Sequence, residues 1–329
     1  MPKLNVQQNN ANVIKALRNA LAIGQIKGPI ASDGNDNFTS TGSNRNLLDN
    51  AYFVGGGSQL GEGKFPINQR GQTQYTAAGF VFDRWFKSGG VTATLDAGGL
   101  TIVNSNGWPD GINQRFPMHF FAQMNGEAIT ASVLYADGSV DSGTAIIDAT
   151  QNYQWLKYPE AGEIGFQLKN FQDGAAYDYF DYISFGAGTN STPKKIKAVK
   201  LELGTVSTLA NDAPPDFGEE LRKCQRRLFI HDFASGEIIA DGFAVSASYS
   251  VCSLVLPVSM ASDGTLTGTV TVNPLIYGGG TSEQVSSFSV SAVKGNYAKI
   301  GVATTVMPPN TSVTLYANTN IRLTISKEL

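Results

Sequence analysis

From Asn46 onward, apolar and polar residues alternate with a period of two. Ile129, Ala131, Val133 and Tyr135 alternate with Thr130, Ser132 and Leu134, and Asp137-Gly138 follows as a hairpin-type turn. Ile164, Phe166 and Leu168 alternate with Gly165 and Gln167, and Tyr177 to Phe185 forms an aromatic-rich strand pattern. Val199, Leu201 and Leu203 alternate with Lys200 and Glu202, which predicts one buried and one wet face. Further on, Leu266, Val270 and Val272 alternate with threonines, and Phe288, Val290 and Ala292 with serines. Val313, Leu315 and Ala317 lead through Asn318-Thr319-Asn320 to Ile321, Leu323 and Ile325, which predicts a terminal hairpin. Short strands at this density predict an all-β chain: a jelly-roll-like β-sandwich over 46–210 and a C-terminal β domain over 232–329.

Two stretches read as helical. In residues 1–27, Val6, Val13, Leu17 and Ala20 fall on a seven-residue repeat, with Asn10 at a seam position where it can set register. A helix of this length needs a partner in water. The segment is therefore expected to be an attachment or oligomerisation helix, the alternative being a helix packed on its own chain. Residues 28–45, rich in Gly, Ser, Thr, Asn and Asp, read as a flexible or irregular linker. Within it Asp33, Asn35 and Asn37 have calcium-loop spacing, but Phe38 replaces the turn Gly and Asn44 the closing Glu. Residues 211–231 read as a short helical joint. Pro214-Pro215 precede it and Asp216 can cap it. Glu219 and Glu220 fall in its first turn, followed by Arg222, Lys223, Arg226 and Arg227, which complements the helix dipole.

Composition narrows the function classes. Charged residues make up 16% of the 329, against about 25% in a typical soluble domain, so the polar surface is largely uncharged. A net charge of −3 leaves no basic excess to neutralise a phosphate backbone and gives nucleic-acid binding little electrostatic support. Met1 to Gln25 lacks a signal-peptide pattern, and no apolar run approaches the ~18 residues of a membrane span. Cys224 and Cys252 read as two free, buried thiols.

Catalytic motifs are scarce. His119 and His231 stand far apart, no zinc motif occurs, and neither metal nor cofactor is expected. Ser58 lacks the last Gly of a nucleophile elbow, because Leu60 stands there. Glu160 with Glu163, and Asp178 with Asp181, are the available carboxylate pairs for glycosidase chemistry. No enzymatic activity is expected. Asp178 stands among Tyr177, Tyr179, Phe180 and Tyr182, and rings beside carboxylates can bind a sugar without cutting it. The alternative is a core strand whose rings fill the sandwich. Trp108, between Gly107 and Pro109, is the expected exposed tryptophan; Trp85 and Trp155 are expected in the core. The candidate glycan-binding residues are therefore Trp108, Tyr177, Asp178 and Tyr179. The second choice lies near Tyr277-Gly278-Gly279-Gly280 and Tyr316-Ala317-Asn318.

Several separated runs carry a family resemblance. They are Asn46-Leu47-Leu48-Asp49-Asn50 with Phe53; Asn68-Gln69-Arg70-Gly71, Tyr75 and Asp83-Arg84-Trp85; Lys200-Leu201-Glu202-Leu203-Gly204 with Ser207-Thr208, leading to Phe217-Gly218-Glu219-Glu220-Leu221 and Cys224-Gln225-Arg226-Arg227; Leu256-Pro257-Val258-Ser259-Met260; and Ile325-Ser326-Lys327-Glu328-Leu329. In this order they resemble bacteriophage and prophage fibre-type appendage proteins, of tail or head. The chain departs from the pattern at a Gly-rich insertion, Gly55 to Lys64, and at Arg227-Leu228, where paired aromatics are usual. The resemblance implies a carbohydrate-binding-like β-sandwich, a short helix and a distal β domain in a homotrimeric fibre, and the matched residues read as fold markers. The expectation is a virion protein, assembled in the host cytoplasm, that docks to a capsid or tail protein through its N-terminal helix and binds bacterial surface glycans. The alternatives are a capsid-attached head fibre or decoration protein without its own receptor, and a glycan depolymerase.

Overall fold

The computed structural model describes residues 30–32, 38–40, 44–56, 60–61, 63–170, 180–262 and 266–328. The chain is mostly β, 48% strand against 6% helix, and its strand pairs are antiparallel. Val6, Asn10, Val13, Leu17 and Ala20 lie outside the described residues, as do Asp33, Asn35 and Asn37. The linker, read as irregular, holds one antiparallel pair, β1 (Ile30–Ser32) with β2 (Phe38–Ser40). Ile, Phe and Thr favour extended backbone even in a polar stretch.

The chain divides into two compact units that do not follow a single cut in sequence. The first comprises residues 1–56, 74–79 and 87–215, and the second 57–73, 80–86 and 216–329. A boundary drawn from composition, 46–210 against 232–329, assigns residues 57–73 and 80–86 to the sandwich, whereas they group with the second unit. In chain order the next strands are β3 (Gln74–Tyr75), β4 (Gly79–Phe80), β5 (Trp85–Lys87), β6 (Val91–Asp96), β7 (Gly99–Asn104) and β8 (Asp110–Pro117). Then come β9 (Ala128–Tyr135), β10 (Val140–Ile146), β11 (Tyr153–Lys157), β12 (Ile164–Lys169), β13 (Phe180–Ala187) and β14 (Ile196–Leu203).

In the first unit, one sheet has the order β10-β9-β14-β7-β6-β3, and another carries the run β11-β12-β13-β8. They face each other through β9 with β12, β7 with β13, and β6 and β7 with β8. Ile129, Ala131, Val133, Leu100 and Ile102 meet Ile112, Phe166, Leu168, Ile183 and Phe185, all essentially closed to water. The β9–β10 hairpin turns at Asp137-Gly138, where Gly138 takes φ +86°. The Asn46–Phe53 segment runs beside β14: Leu47 N–H donates to the Leu201 carbonyl at 2.8 Å and Phe53 N–H to that of Lys197 at 2.8 Å. Asn46 fixes it, accepting the Leu48 and Leu201 N–H groups at 3.1 Å each.

The alternation on β14 misleads at Lys200 and Glu202. Both are fully buried, while Leu203 is exposed. Lys200 Nζ donates to Thr208 Oγ1 at 2.9 Å and to Asp212 at 2.7 Å, and Glu202 lies 3.8 Å away. Glu202 accepts from the Thr208 N–H at 2.8 Å and hydroxyl at 2.6 Å. Charges can leave water when each is paired and hydrogen-bonded, and here the pairing replaces the wet face.

In the second unit, α1 (Phe217–Gln225) is capped by Asp216, whose side chain accepts the Glu219 N–H at 2.7 Å. The strands are β15 (Leu228–Phe233), β16 (Ile238–Ser246), β17 (Tyr249–Val255), β18 (Thr267–Val270), β19 (Leu275–Gly278), β20 (Thr281–Gln284), β21 (Ser287–Lys294), β22 (Tyr297–Ala303), β23 (Ser312–Tyr316) and β24 (Ile321–Ser326). They form a sheet β15-β24-β18 and a larger one, β20-β19-β23-β16-β17-β22-β21. The core holds Phe229, Ile239, Ile300, Leu315, Leu323 and Ile325, with Cys252 buried among them. Cys224 is also buried, and both thiols are free. Burial pushes the Cys252 thiol up to about 12.

Two sequence expectations fail here. β23 and β24 are not a hairpin: β23 pairs with β16 and β19, and β24 with β15 and β18. The Asn318–Asn320 turn passes between sheets, and alternation in two flanking strands cannot separate pairing from crossing. On β21, a register shift between Val290 and Ala292 exposes Ala292 and turns Val293 toward the core.

Candidate functional site

Strands of the β11-β12-β13-β8 run put Ile164, Phe166, Leu168, Ile183, Phe185 and Ile112 into the core, so the alternate residues form the outer face. Strand register arranges these in straight rows. Trp155 stands opposite Gln167, Gln167 opposite Ser184, and Ser184 opposite Asn113. The row two residues along is Tyr153, Lys169, Tyr182 and Arg115.

The first row is neutral. Trp155 is 36% exposed and meets Tyr158 edge-on, with ring centres 4.8 Å apart. Gln167 and Ser184 are half-buried, and their side chains make no hydrogen bond among the described residues. Asn113 Nδ2 makes a long contact, 3.5 Å, to Ser88 Oγ. The row therefore offers a ring plus amide and hydroxyl groups able to exchange water for a polyhydroxyl ligand.

The second row is cationic and aromatic. Lys169 Nζ lies 5.7 Å from the Tyr153 ring centre and 5.4 Å from that of Tyr182, and Arg115 packs 4.0 Å over Phe180. Burial holds Lys169 below the usual lysine range, and the charge of Arg115 adds to this. Burial likewise raises the Tyr182 hydroxyl, with further contributions from Tyr153 and Asp110. Asp110 is held by Asn106 Nδ2 at 2.7 Å and by the Gly111 N–H at 2.9 Å. Beyond Trp155, Lys157 pairs with Asp141 and, at 3.2 Å, with Glu163, whose carboxyl it holds below the usual range.

The residues named from sequence are not gathered in one place. Trp108 is 66% exposed in the connection between β7 and β8. That connection leads into Asp110, which pairs with Ala187, at the opposite end of β13 from Phe180, roughly 24 Å along an extended strand. Tyr177, Asp178 and Tyr179 lie outside the described residues. Asp181 faces the interior and accepts the Phe121 N–H at 2.8 Å. Trp85 is buried as expected, but Trp155 is not a core residue: it sits on the outer face of an edge strand. Gln167, Ser184 and Asn113 escaped notice because each looks ordinary in its own strand; only register aligns them with a tryptophan.

No family model, curated protein or solved structure matches the chain. Among the described residues, no group of three or more His, Cys, Asp and Glu side chains is placed to hold a metal ion. In the second unit, a cavity of 390 Å³ is lined by Phe233, Thr271, Asn320 and the Asp232–Arg322 pair, which is bidentate at 2.7 and 2.8 Å. Tyr277 and Tyr316, the second choice from sequence, do not line it.

Proposed function

We propose that this chain is a virion appendage protein that binds bacterial surface glycans without cutting them, through the outer face of β11-β12-β13-β8. The observation that carries the binding reading is the row Trp155, Gln167, Ser184 and Asn113. It joins an accessible ring to three neutral hydrogen-bonding side chains, two of them with no partner among the described residues. Sugars present C–H faces and hydroxyls, which need this combination rather than charge. The appendage part rests on the ordered runs from Asn46 to Leu329 that resemble fibre-type proteins.

Those runs behave as fold determinants. Asn46 ties its segment to β14, Lys200, Glu202 and Thr208 form a buried knot, and in the second unit Gln69 bonds Asp83 while Arg70 stands between Asp83 and Glu328. The proposal includes a homotrimer. Its support is the exposure of Phe243, Val245, Tyr249 and Val255 on neighbouring strands β16 and β17 of a weakly charged domain. Docking on a capsid or tail protein is assigned to the N-terminal helix pattern.

The test is an array of bacterial capsule, wall and O-antigen glycans probed with wild type, Trp155→Ala and Gln167→Ala proteins of verified fold. Binding by wild type that both variants weaken is the expected result. Absence of wild-type binding would favour a fibre without its own receptor.

A further inference from the structure

Strand register gives the outer face a direction as well as a composition. Trp155, Gln167, Ser184 and Asn113 belong to four successive strands, so the row runs across the sheet, perpendicular to the chain. Three gaps of ~4.8 Å make it ~14 Å long. One linked pyranose advances by about one strand spacing, so the row matches about three sugar units.

The row is walled along one side. On one side, two residues along the strands and about 7 Å away, stand Tyr153, Lys169, Tyr182 and Arg115. On the other side Gly165 lies under Pro159: a Cβ built on Gly165 would meet Pro159 Cδ at 2.3 Å. Beside Ser184 and Asn113 that flank is Gly186 and Gly111, which carry no side chain. The row is thus walled by side chains on one side and lies beside bare backbone on most of the other, a long shape that suits a chain lying lengthwise. Exposure falls along it, from 36% at Trp155 to 8% at Asn113. Trp155 stands on β11, at the edge of the sheet, so a longer chain leaves past the tryptophan without displacing the units already bound.

We propose that this row binds a linear glycan across the strands, over a run of about three sugar units, with Asn113 and Trp155 at the two ends. The inference rests on the glycan reading of the same face. Each unit up to the third adds one side chain's worth of contact, and later units add none. With about 1 kcal/mol per added contact, affinity should rise about fivefold per unit and then level off.

The test uses the full chain and fragments of one to six units, sorted by length, from the array polysaccharide that binds best. The expected result is affinity rising to three units and flat from four to six. Trp155→Ala and Ser184→Ala should each weaken the trisaccharide about fivefold, and Asn113→Ala should do the same if circular dichroism shows it folded. Equal affinity for one unit and six would overturn the inference while leaving glycan binding intact, and so would a rise continuing beyond four units. No binding by any glycan on the array would overturn both.

Discussion

Asp83 accepts two hydrogen bonds from Gln69, one from its main-chain N–H at 3.0 Å and one from its side-chain amide at 2.7 Å, in a site closed to water. Arg70 stands 3.6 Å from the same carboxyl and pairs with Glu328. Burial outweighs these partners and pushes Asp83 up from 3.8 to about 7. The folded state thus holds a proton that the unfolded chain releases. Its contribution is complete below pH 3.8, is lost as pH rises toward about 7, and is flat above. Urea midpoints of the second unit should therefore fall between about pH 4.5 and pH 7.5, and Asp83→Asn should flatten that fall. Trp85 reports on this unit in a Trp108→Phe, Trp155→Phe background. An unchanged slope in the variant would show that Asp83 ionises normally in the fold.

Gln69 does a second thing. Its amide donates to the Leu228 carbonyl at 2.6 Å and accepts the Ile230 N–H at 3.1 Å. β15 is an edge strand, so one side chain substitutes for a neighbouring strand. Gln69→Leu keeps the volume and leaves the Leu228 carbonyl, the Ile230 N–H and Asp83 short of partners. Each such group costs about 1–3 kcal/mol, so a loss of at least 3 kcal/mol is expected, read as a lowered urea midpoint.

The strand periodicities and the capped helix were legible because they are local. Ile129 to Tyr135 alternate, Asp137-Gly138 turns, and Asp216 caps a run with acid first and base last. What failed was long-range. Nothing near Lys200 in sequence says that Asp212 and Thr208 will fold over it, and nothing in β23 or β24 says which sheet each joins. The candidate site was half legible for the same reason. Aromatic and polar side chains can be counted in sequence, but a row across four strands exists only once register is set.

Lys200 offers a test of the buried knot. Removing one member of a buried pair leaves the other charge without compensation, a loss of about 3–5 kcal/mol. Lys200→Met should lower the urea midpoint of the first unit accordingly. Replacing Lys200 and Glu202 together, by Met and Leu, should recover a large part of it. A double variant as unstable as the single one would mean that the knot holds Thr208 and Asp212 in place rather than balancing charge.

Phe243 and Val245 test self-association. Both are about half exposed on β16. If this face meets other copies, Phe243→Asp should lower the sedimenting mass from about three protomers toward one while leaving circular dichroism unchanged. A wild-type monomer at micromolar concentration would remove the trimer.

Trp155 and Trp108 separate the face chosen from structure from the residue chosen from sequence. Trp108 is the more exposed of the two, yet its neighbours Asn104 and Asp110 are engaged: Asn104 donates to the Trp108 carbonyl at 3.0 Å, and Asp110 is held by Asn106. Trp155 has Gln167 directly opposite, with an amide that has no partner among the described residues. A stacked ring contributes about 1 kcal/mol, so Trp155→Ala should weaken glycan binding about fivefold. Trp108→Ala should change it less than twofold, because a ring alone leaves the hydroxyls of a sugar in water. Titration of both variants with the same array glycan decides the matter. A larger loss with Trp108→Ala would move the site to the β7–β8 connection. Equal losses would mean that a ligand crosses the strands from Trp155 and continues along β8 to its Asp110 end.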